Sequence, residues 1–309
     1  MLNTIISSIK KHGGFGGAFK AWLRLYLGIK DQQNNLDTLN YLLNEYVDIT
    51  QIPPTRDYNL RILQKCDAAL IAIFDKICAK YNLRYWLFAG TLLGAIRHKG
   101  FIPWDDDVDI TMPREDYNKA LEIMPKEFEK LGLDFNVRDL HPYARFGIGY
   151  KHYESGIWID VFTIDSFKTD KTIDELYTNK TISVEKKVRE HFNKMKVKDI
   201  DEQIAYRNQV LHNNESGNYT YYFDNMEFPH FHPIFYQEED IFPLIEMPFE
   251  NYTFKCPHNY DVILKRKYGD YMKFPKSGIV HHSTSTWSEK NNMDMEETYN
   301  YLLKILESL

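Results

Sequence analysis

"FIPWDDDVDITMPRED", residues 101–116, sets four aspartates, Asp105, Asp106, Asp107 and Asp109, within five positions. Crowding that many carboxylates costs free energy unless a cation or a proton sits among them. From Asp107 onward the polar and apolar residues alternate, which predicts a strand over 107–112. Side chains two apart on a strand share a face, so Asp107 and Asp109 point one way while Val108 and Ile110 turn into the core. Two carboxylates on one face form a hard, oxygen-rich site suited to Mg²⁺ or Mn²⁺. Pro113 reads as the first position of the next helix, with Glu115 and Asp116 in its first turn. A solvated acidic loop is the plainer reading of such a cluster. The flanking Pro103 and Trp104 and the strand alternation weigh against it.

Just upstream, "YWLFAGTLLGAIRHKG" (85–100) reads as a short buried strand over 85–89, stopped at Gly90, then a helix. A strand that ends in Gly90-Thr91 and opens a helix turns backbone N–H groups toward an anion. Gly90 lets a phosphate come close, and Thr91 can cap the helix and bond a phosphate oxygen. Arg97, His98 and Lys99 follow at the far end of that helix, where one of them can neutralise a phosphate or all can sit in a solvated basic turn. Downstream, "GIWIDVFTID" (156–165) reads as a strand with Ile157 and Ile159 on one face and Trp158, Asp160 and Phe162 on the other. An aspartate in so apolar a strand needs a partner when buried. Asp160 is therefore the candidate third carboxylate of a two-metal platform for phosphoryl transfer, with Asp165 placed in a turn past the strand.

The remaining chain reads as three segments. Residues 1–57 form a basic amphipathic segment and a polar connector ending at Pro53 and Pro54, where a helix cannot continue. Residues 58–170 form the catalytic core, opening with a helix over 58–81 and including strands in "LDFNVRDL" (133–140) and "ARFGIGYKHY" (144–153). Residues 171–309 form a more helical, aromatic-rich region. It has helices over about 172–215, few helical cues from 219 to 260, then helices over 260–268 and 294–308, with Gly269 as a left-handed cap.

Composition narrows the function classes. The net charge of −6 argues against nucleic acid as the partner. Three cysteines, Cys66, Cys78 and Cys256, without CxxC spacing argue against a disulfide framework or a zinc site, and favour a reducing cytoplasm. No run of 18 apolar residues marks a membrane span, and the start of the chain lacks a signal-peptide pattern. Residues 1–30 nevertheless carry Lys10, Lys11, Lys20, Arg24 and Lys30 with no acidic residue, beside Phe15, Phe19, Trp22, Leu23, Tyr26 and Leu27. That pattern fits a helix lying on an anionic membrane surface, or equally one packed on the body of the protein.

Helix, strand, Gly-Thr, helix and a strand bearing D-x-D is the layout of the nucleotidyltransferase fold, and residues 85–117 resemble the signature of the LicD family. "GIWIDVFTID" resembles that family's second acidic strand, and "IFPLIEMPFENYTFKCPHNYDVILKRKYGDYMKFP" (241–275) its C-terminal block. The resemblance implies an α/β (α+β) fold with a nucleotidyltransferase-like mixed sheet, flanking helices and a more helical C-terminal half. It also implies Mg²⁺- or Mn²⁺-dependent transfer of phosphocholine, or a related phospho-alcohol, from a CDP-linked donor to a cell-surface glycan. Carried across, Gly90 and Thr91 match the donor-phosphate turn, Asp107 and Asp109 the metal pair, and Asp160 the third carboxylate. Arg97, Lys99, Trp104 and Trp158 join them as donor-binding candidates. Fifteen residues lie between Thr91 and Asp107, more than in the simplest members of the fold, and "RHKGFIPWDD" (97–106) is expected to fold over the donor.

If the donor alcohol is choline, its quaternary ammonium needs aromatic faces. Trp104, Trp158 and a later cluster (Tyr221, Tyr222, Phe223, Phe228, Phe231 and Tyr236) can supply them, with Asp224 or Glu227 as counter-charge. Each ring taken alone is more often core. CDP-ribitol and CDP-glycerol remain alternatives. "DVDIT" (107–111) also fits the D-x-D-x-T of haloacid-dehalogenase phosphatases, but Pro103 and Trp104 break the apolar strand that motif needs. A catalytically dead binding module is the third reading. Lys273, Lys276, His281 and His282 are candidates for the acceptor side.

Overall fold

The computed structural model describes residues 15–138, 145–149, 157–178, 217–224, 234–275 and 294–309. The chain divides into two compact units, Met1–Gln51 with Met272–Val280, and Ile52–Tyr271 with His281–Leu309. In the first unit, α1 (Phe15–Tyr46) runs 32 residues and a 3-10 turn, Ile49–Gln51, follows. The helix thus continues through most of the stretch read as a connector, because Leu36, Leu39, Leu42 and Tyr46 recur at helical spacing within the polar sequence. Within this unit the Phe274 N–H donates to Asn44 Oδ1 at 2.7 Å. Lys10 and Lys11 lie outside the described residues. Among those described, no helix is long and apolar enough to cross a membrane.

The second unit opens with α2 (Tyr58–Tyr81), placed after Pro53 and Pro54 as expected. Asp57 caps it by accepting the N–H groups of Asn59 and Leu60, and Asn82 ends it in the left-handed region at φ 52°. A seven-stranded mixed sheet follows, in the order β1-β2-β5-β4-β3 with β6 attached to β5 and β7 to β6. Its strands are β1 (Trp86–Leu87), β2 (Val108–Pro113), β3 (Asp134–Arg138), β4 (Arg145–Gly149), β5 (Trp158–Thr169), β6 (Tyr219–Asp224) and β7 (Phe235–Gln237). Helix α3 (Ala89–His98) joins β1 to β2, and α4 (Arg114–Lys130) joins β2 to β3. The fold is α/β mixed, as the sequence implied.

β5 is the backbone of the sheet. Its first half lies between β2, which runs parallel to it, and β4, which runs antiparallel. Its second half pairs with β6 from Ile164 onward. Val108, Ile110 and Met112 of β2 and Ile159 and Val161 of β5 are fully buried. They meet α2, α4 and α8 (Met295–Ser308) in one core.

Several expectations change in detail. Pro113 ends β2 with extended backbone, and α4 starts one residue later at Arg114, with Glu115 and Asp116 in its first turn. Asp165 lies inside β5 rather than in a turn, held bidentate by Arg114 at 2.7 and 2.8 Å. Residues 219–260 supply β6, β7, the short α6 (Glu238–Ile241) and a hairpin of β8 (Ile245–Phe249) and β9 (Tyr252–Cys256). The sheet therefore extends into the half read as more helical. Of the helices expected over 172–215, α5 (Ile173–Thr178) is described and the rest lies outside the described residues. After α7 (Tyr260–Tyr268), Gly269 closes the helix at φ 69°, ψ −125°. That is positive φ, as a glycine permits, but not the left-handed helical cap expected. All three cysteines are buried free thiols.

Candidate active site

The site begins where β1 turns into α3. Trp86 and Leu87 pair with Thr111 and Ile110, and at Ala89, with φ 45°, the chain leaves the sheet for the helix. The Phe88 N–H still donates to the Asp109 carbonyl at 3.0 Å. The carbonyl that would answer the Asp109 N–H has turned away into the helix, and Thr91 Oγ1 accepts that N–H instead, at 2.9 Å. Thr91 is 2% exposed. Its hydroxyl oxygen extends the β1–β2 ladder by one bond instead of capping the helix, which starts at Ala89. Gly90 stays partly exposed, and a Cβ there would lie 3.1 Å from Asp105 Oδ2. The Asp105 carboxylate thus sits against the first turn of α3, where the helix dipole favours negative charge.

β2 and β5 run parallel in a register that places Asp109 beside Asp160, with Val108 beside Ile159 and Ile110 beside Val161. Because neighbouring buried residues fill the opposite face, both carboxylates project from the same side of the sheet. Both are partly exposed, and Asp107, one residue before β2, is exposed. The indole N–H of Trp158 donates to Asp160 Oδ1 at 3.0 Å. Asp105, Asp106 and Asp107 each offer an oxygen within 4.8 Å of the others. Burial, and then the charges of Asp107 and Asp106, push the Asp105 carboxyl well above the usual carboxylate range, while Arg97 opposes them. A clustered set of hard carboxylate oxygens fits a Mg²⁺-sized cation, and among the described residues that cluster is Asp105, Asp106 and Asp107 rather than the expected Asp107, Asp109 and Asp160.

The loop expected to cover a donor is fastened into the body. Gln64 Nε2 donates to the carbonyls of Asp105 at 2.9 Å and Ile102 at 3.4 Å. Glu250, in the β8–β9 turn, accepts the Phe101 N–H at 3.3 Å and is held bidentate by Arg61 at 3.0 and 2.5 Å. Phe101 and Ile102 are 5% and 7% exposed, so the middle of the loop is buried while Lys99 and the acidic end reach solvent.

The other candidates scatter. Arg97 is buried and its guanidinium donates to the Tyr271 carbonyl at 2.7 Å. Burial lowers its pKa to about 10, with Asp105 pulling the other way. Lys99 is the exposed C-cap of α3, about 13 Å along the helix from Gly90 at 1.5 Å per residue. Trp104 is half-buried, its ring 6.4 Å from that of His98. Trp158 is 6% exposed, and Tyr221 and Tyr236 are 1% exposed within the core. Tyr222 is half-buried, and Asp224 and Phe223 are described as β6 backbone alone. Phe228, Phe231, Glu227, Lys276, His281 and His282 lie outside the described residues. Lys273 belongs to the first unit.

Three features escaped the sequence reading. Asp67 on α2 is 0% exposed, and its Oδ1 accepts the Trp158 backbone N–H at 3.1 Å. Burial drives its carboxyl well above the usual range, the Trp158 N–H opposing and Asp107 and Asp106 adding to the rise. "CDAALIAIF" (66–74) carried the signal, a lone acid inside an apolar helix. The Phe88 and Phe162 rings pack 6.0 Å apart, and Lys267 of α7 places Nζ 4.7 Å from the centroid of Phe88. Nothing in "KRK" (265–267) singles out the third cation over the other two.

Residues 82–195 match the family of the LicD/FKTN/FKRP nucleotidyltransferase domain. The lipopolysaccharide cholinephosphotransferase LicD of Haemophilus influenzae is 47% identical over 58 residues, 19% of this chain and 22% of that protein. An uncharacterised protein of Rickettsia typhi is 31% identical over 132 residues, 37% of this chain and 42% of its own. The mouse ribitol 5-phosphate transferase FKRP is 35% identical over 68 residues, 22% of this chain and 13% of that protein. The chain therefore spans less than half the length of these curated relatives. The segment that matches the family, residues 82–195, holds Gly90, Thr91, Asp107, Asp109 and Asp160. Residues 82–195 are thus similar to the LicD/FKTN/FKRP nucleotidyltransferase domain.

Proposed function

We propose that the protein is a Mg²⁺- or Mn²⁺-dependent phosphotransferase. It moves a phospho-alcohol, phosphocholine foremost, from a CDP-linked donor to a hydroxyl of a cell-surface glycan such as lipopolysaccharide, capsule or teichoic acid. The observation that carries this reading is the register pair Asp109–Asp160 on parallel neighbouring strands, beside the open end of α3. Asp107, Asp109 and Asp160 would hold the metal. When bound, it would neutralise charge that builds on the donor pyrophosphate as CMP leaves.

The chain's own groups divide the remaining work. Gly90 lets the pyrophosphate approach the first turn of α3, where N–H groups and the helix dipole favour an anion. Lys267 stands over Phe88, whose backbone is bonded to Asp109, and offers a cation for a phosphate oxygen. Asp160, its Oδ1 held by Trp158, would accept the proton of the attacking sugar hydroxyl. Of the other donor candidates, Trp104 is half-buried, and buried Arg97 lies near enough to Asp105 to oppose the rise in its pKa. Residues 1–30 would rest on the anionic cytoplasmic face of a membrane, near a lipid-linked acceptor.

Choline is favoured because the LicD relative is the more similar of the two named transferases over its matched segment. Transfer of ribitol phosphate is the second reading, supported by the FKRP likeness. The phosphatase reading fails on geometry, since Asp107 precedes β2, whereas that nucleophile stands past the end of a strand. The test is incubation with Mg²⁺ and CDP-choline, CDP-ribitol or CDP-glycerol, reading CMP release with and without a glycan acceptor. Absence of acceptor-dependent CMP release from all three overturns the assignment. CDP-ribitol as the best donor overturns choline alone.

A further inference from the structure

β5 begins at Trp158, and that residue is held from two sides. Asp67 lies on the face of α2 that also presents Arg61 and Gln64, one turn apart each, to the acidic loop and its anchor Glu250. Asp67 Oδ1 accepts the backbone N–H of Trp158 at 3.1 Å, and Asp67 Oδ2 has no hydrogen-bond partner among the described residues. A fully buried carboxylate that forms one bond to one backbone group is costly to keep. Two residues along the same strand face, the Trp158 ring reaches Asp160, donating its indole N–H to Oδ1 at 3.0 Å. Helix, strand start, ring and carboxylate thus form a chain of contacts that ends on the partner of Asp109.

We propose that Asp67 and Trp158 are positioning residues that fix the orientation of Asp160 for a divalent cation. This rests on the metal reading of Asp107, Asp109 and Asp160 given above. Tying Oδ1 to a neutral donor restricts the rotation of the carboxylate, and with it the direction in which its oxygens meet a cation. Partners of this kind, bonded to a ligand rather than to the metal, typically change metal affinity about 10- to 100-fold when removed. The contact also gives the Trp158 ring a use other than an ammonium face. At 6% exposure it has little surface to offer a ligand.

The test measures Mn²⁺ affinity of the full chain by electron paramagnetic resonance, and thermal unfolding in EDTA. Trp158→Phe keeps an aromatic face and loses the N–H. It is expected to weaken Mn²⁺ binding about 10-fold while unfolding in EDTA near the wild-type temperature. Asp67→Leu is expected to weaken binding similarly, and Asp67→Asn, which keeps the acceptor oxygen, to restore it. A Trp158→Phe protein with wild-type Mn²⁺ affinity overturns the inference, including where it changes the preference among CDP-alcohols instead. Wild-type Mn²⁺ binding that is indifferent to Asp109→Asn overturns the metal reading itself, and the inference with it.

Discussion

Thr91→Val tests whether the site depends on the bond that continues the β1–β2 ladder. Valine has nearly the shape of threonine, so the change removes the oxygen that accepts the Asp109 N–H at 2.9 Å and little else. Thr91 is 2% exposed, so water has no route to replace it. A buried N–H left without an acceptor costs about 1–3 kcal/mol. At roughly 2–4 °C per kcal/mol for a unit of this size, the melting temperature should fall by about 2–12 °C. Thr91→Ser keeps the oxygen and loses one buried methyl, a cost of about 1 kcal/mol. The two variants therefore lose stability for different reasons, and only valine frees the backbone of Asp109. Circular dichroism melts in EDTA give the stability, and Mn²⁺ titrations give the site. The expected result is that Thr91→Val loses both stability and Mn²⁺ affinity, while Thr91→Ser keeps its affinity. A Thr91→Val protein with wild-type melting and wild-type Mn²⁺ affinity would refute the reasoning.

Asp107→Asn and Asp109→Asn should each abolish Mg²⁺-dependent CMP release with melting at or above the wild-type temperature, because like charges are removed; substantial residual activity in either means the site is misplaced. Gly94→Ala puts a Cβ 2.4 Å from the Gly100 carbonyl oxygen and 3.2 Å from the Ile102 nitrogen. Because those are backbone atoms that cannot swing aside, it should cost about 1–3 kcal/mol by denaturant unfolding, whereas Gly90→Ala meets only the movable Asp105 carboxylate and should unfold near wild type. Asp67 has its folded pKa raised by burial above the ordinary 3.8, so the wild type loses stability as pH rises from 3.8 through the folded value; Asp67→Asn should be more stable at neutral pH and converge with wild type at acidic pH, and a gap independent of pH would contradict this. Deleting residues 1–30 should leave transfer to a soluble acceptor intact and release the protein from anionic vesicles, and undiminished vesicle binding would favour a helix packed on protein.

The elements that carry the chemistry were legible because each leaves a short-range mark. Alternation around Asp107–Asp109 and in "IWID" marks strands, and Gly90-Thr91 before "LLGAI" marks a strand-to-helix turn. The parallel register of β2 and β5 was not legible, since no local pattern says that Asp109 rather than Asp107 stands beside Asp160. Thr91 shows a related limit. Its type and position were read as a helix cap, but its hydroxyl oxygen accepts a backbone N–H from a residue eighteen positions away. Asp165 was misplaced because its burial depends on Arg114, which lies on another element. β6 and β7 escaped notice because aromatic stretches of this kind fit sheet, cage and core equally well.

The same limit applies to the aspartates that opened the question. In sequence they are near equivalents, and their surroundings sort them into two kinds. Asp105 lies against the first turn of α3, and burial with the charges of Asp107 and Asp106 raises its pKa well above the usual range, Arg97 opposing them. Gln64 fixes the backbone beneath it. Asp107 is exposed and Asp109 and Asp160 are partly exposed on one side of the sheet. Those three concentrate negative charge on one side of the sheet, and under the proposed function an anionic donor would approach them only with a cation between.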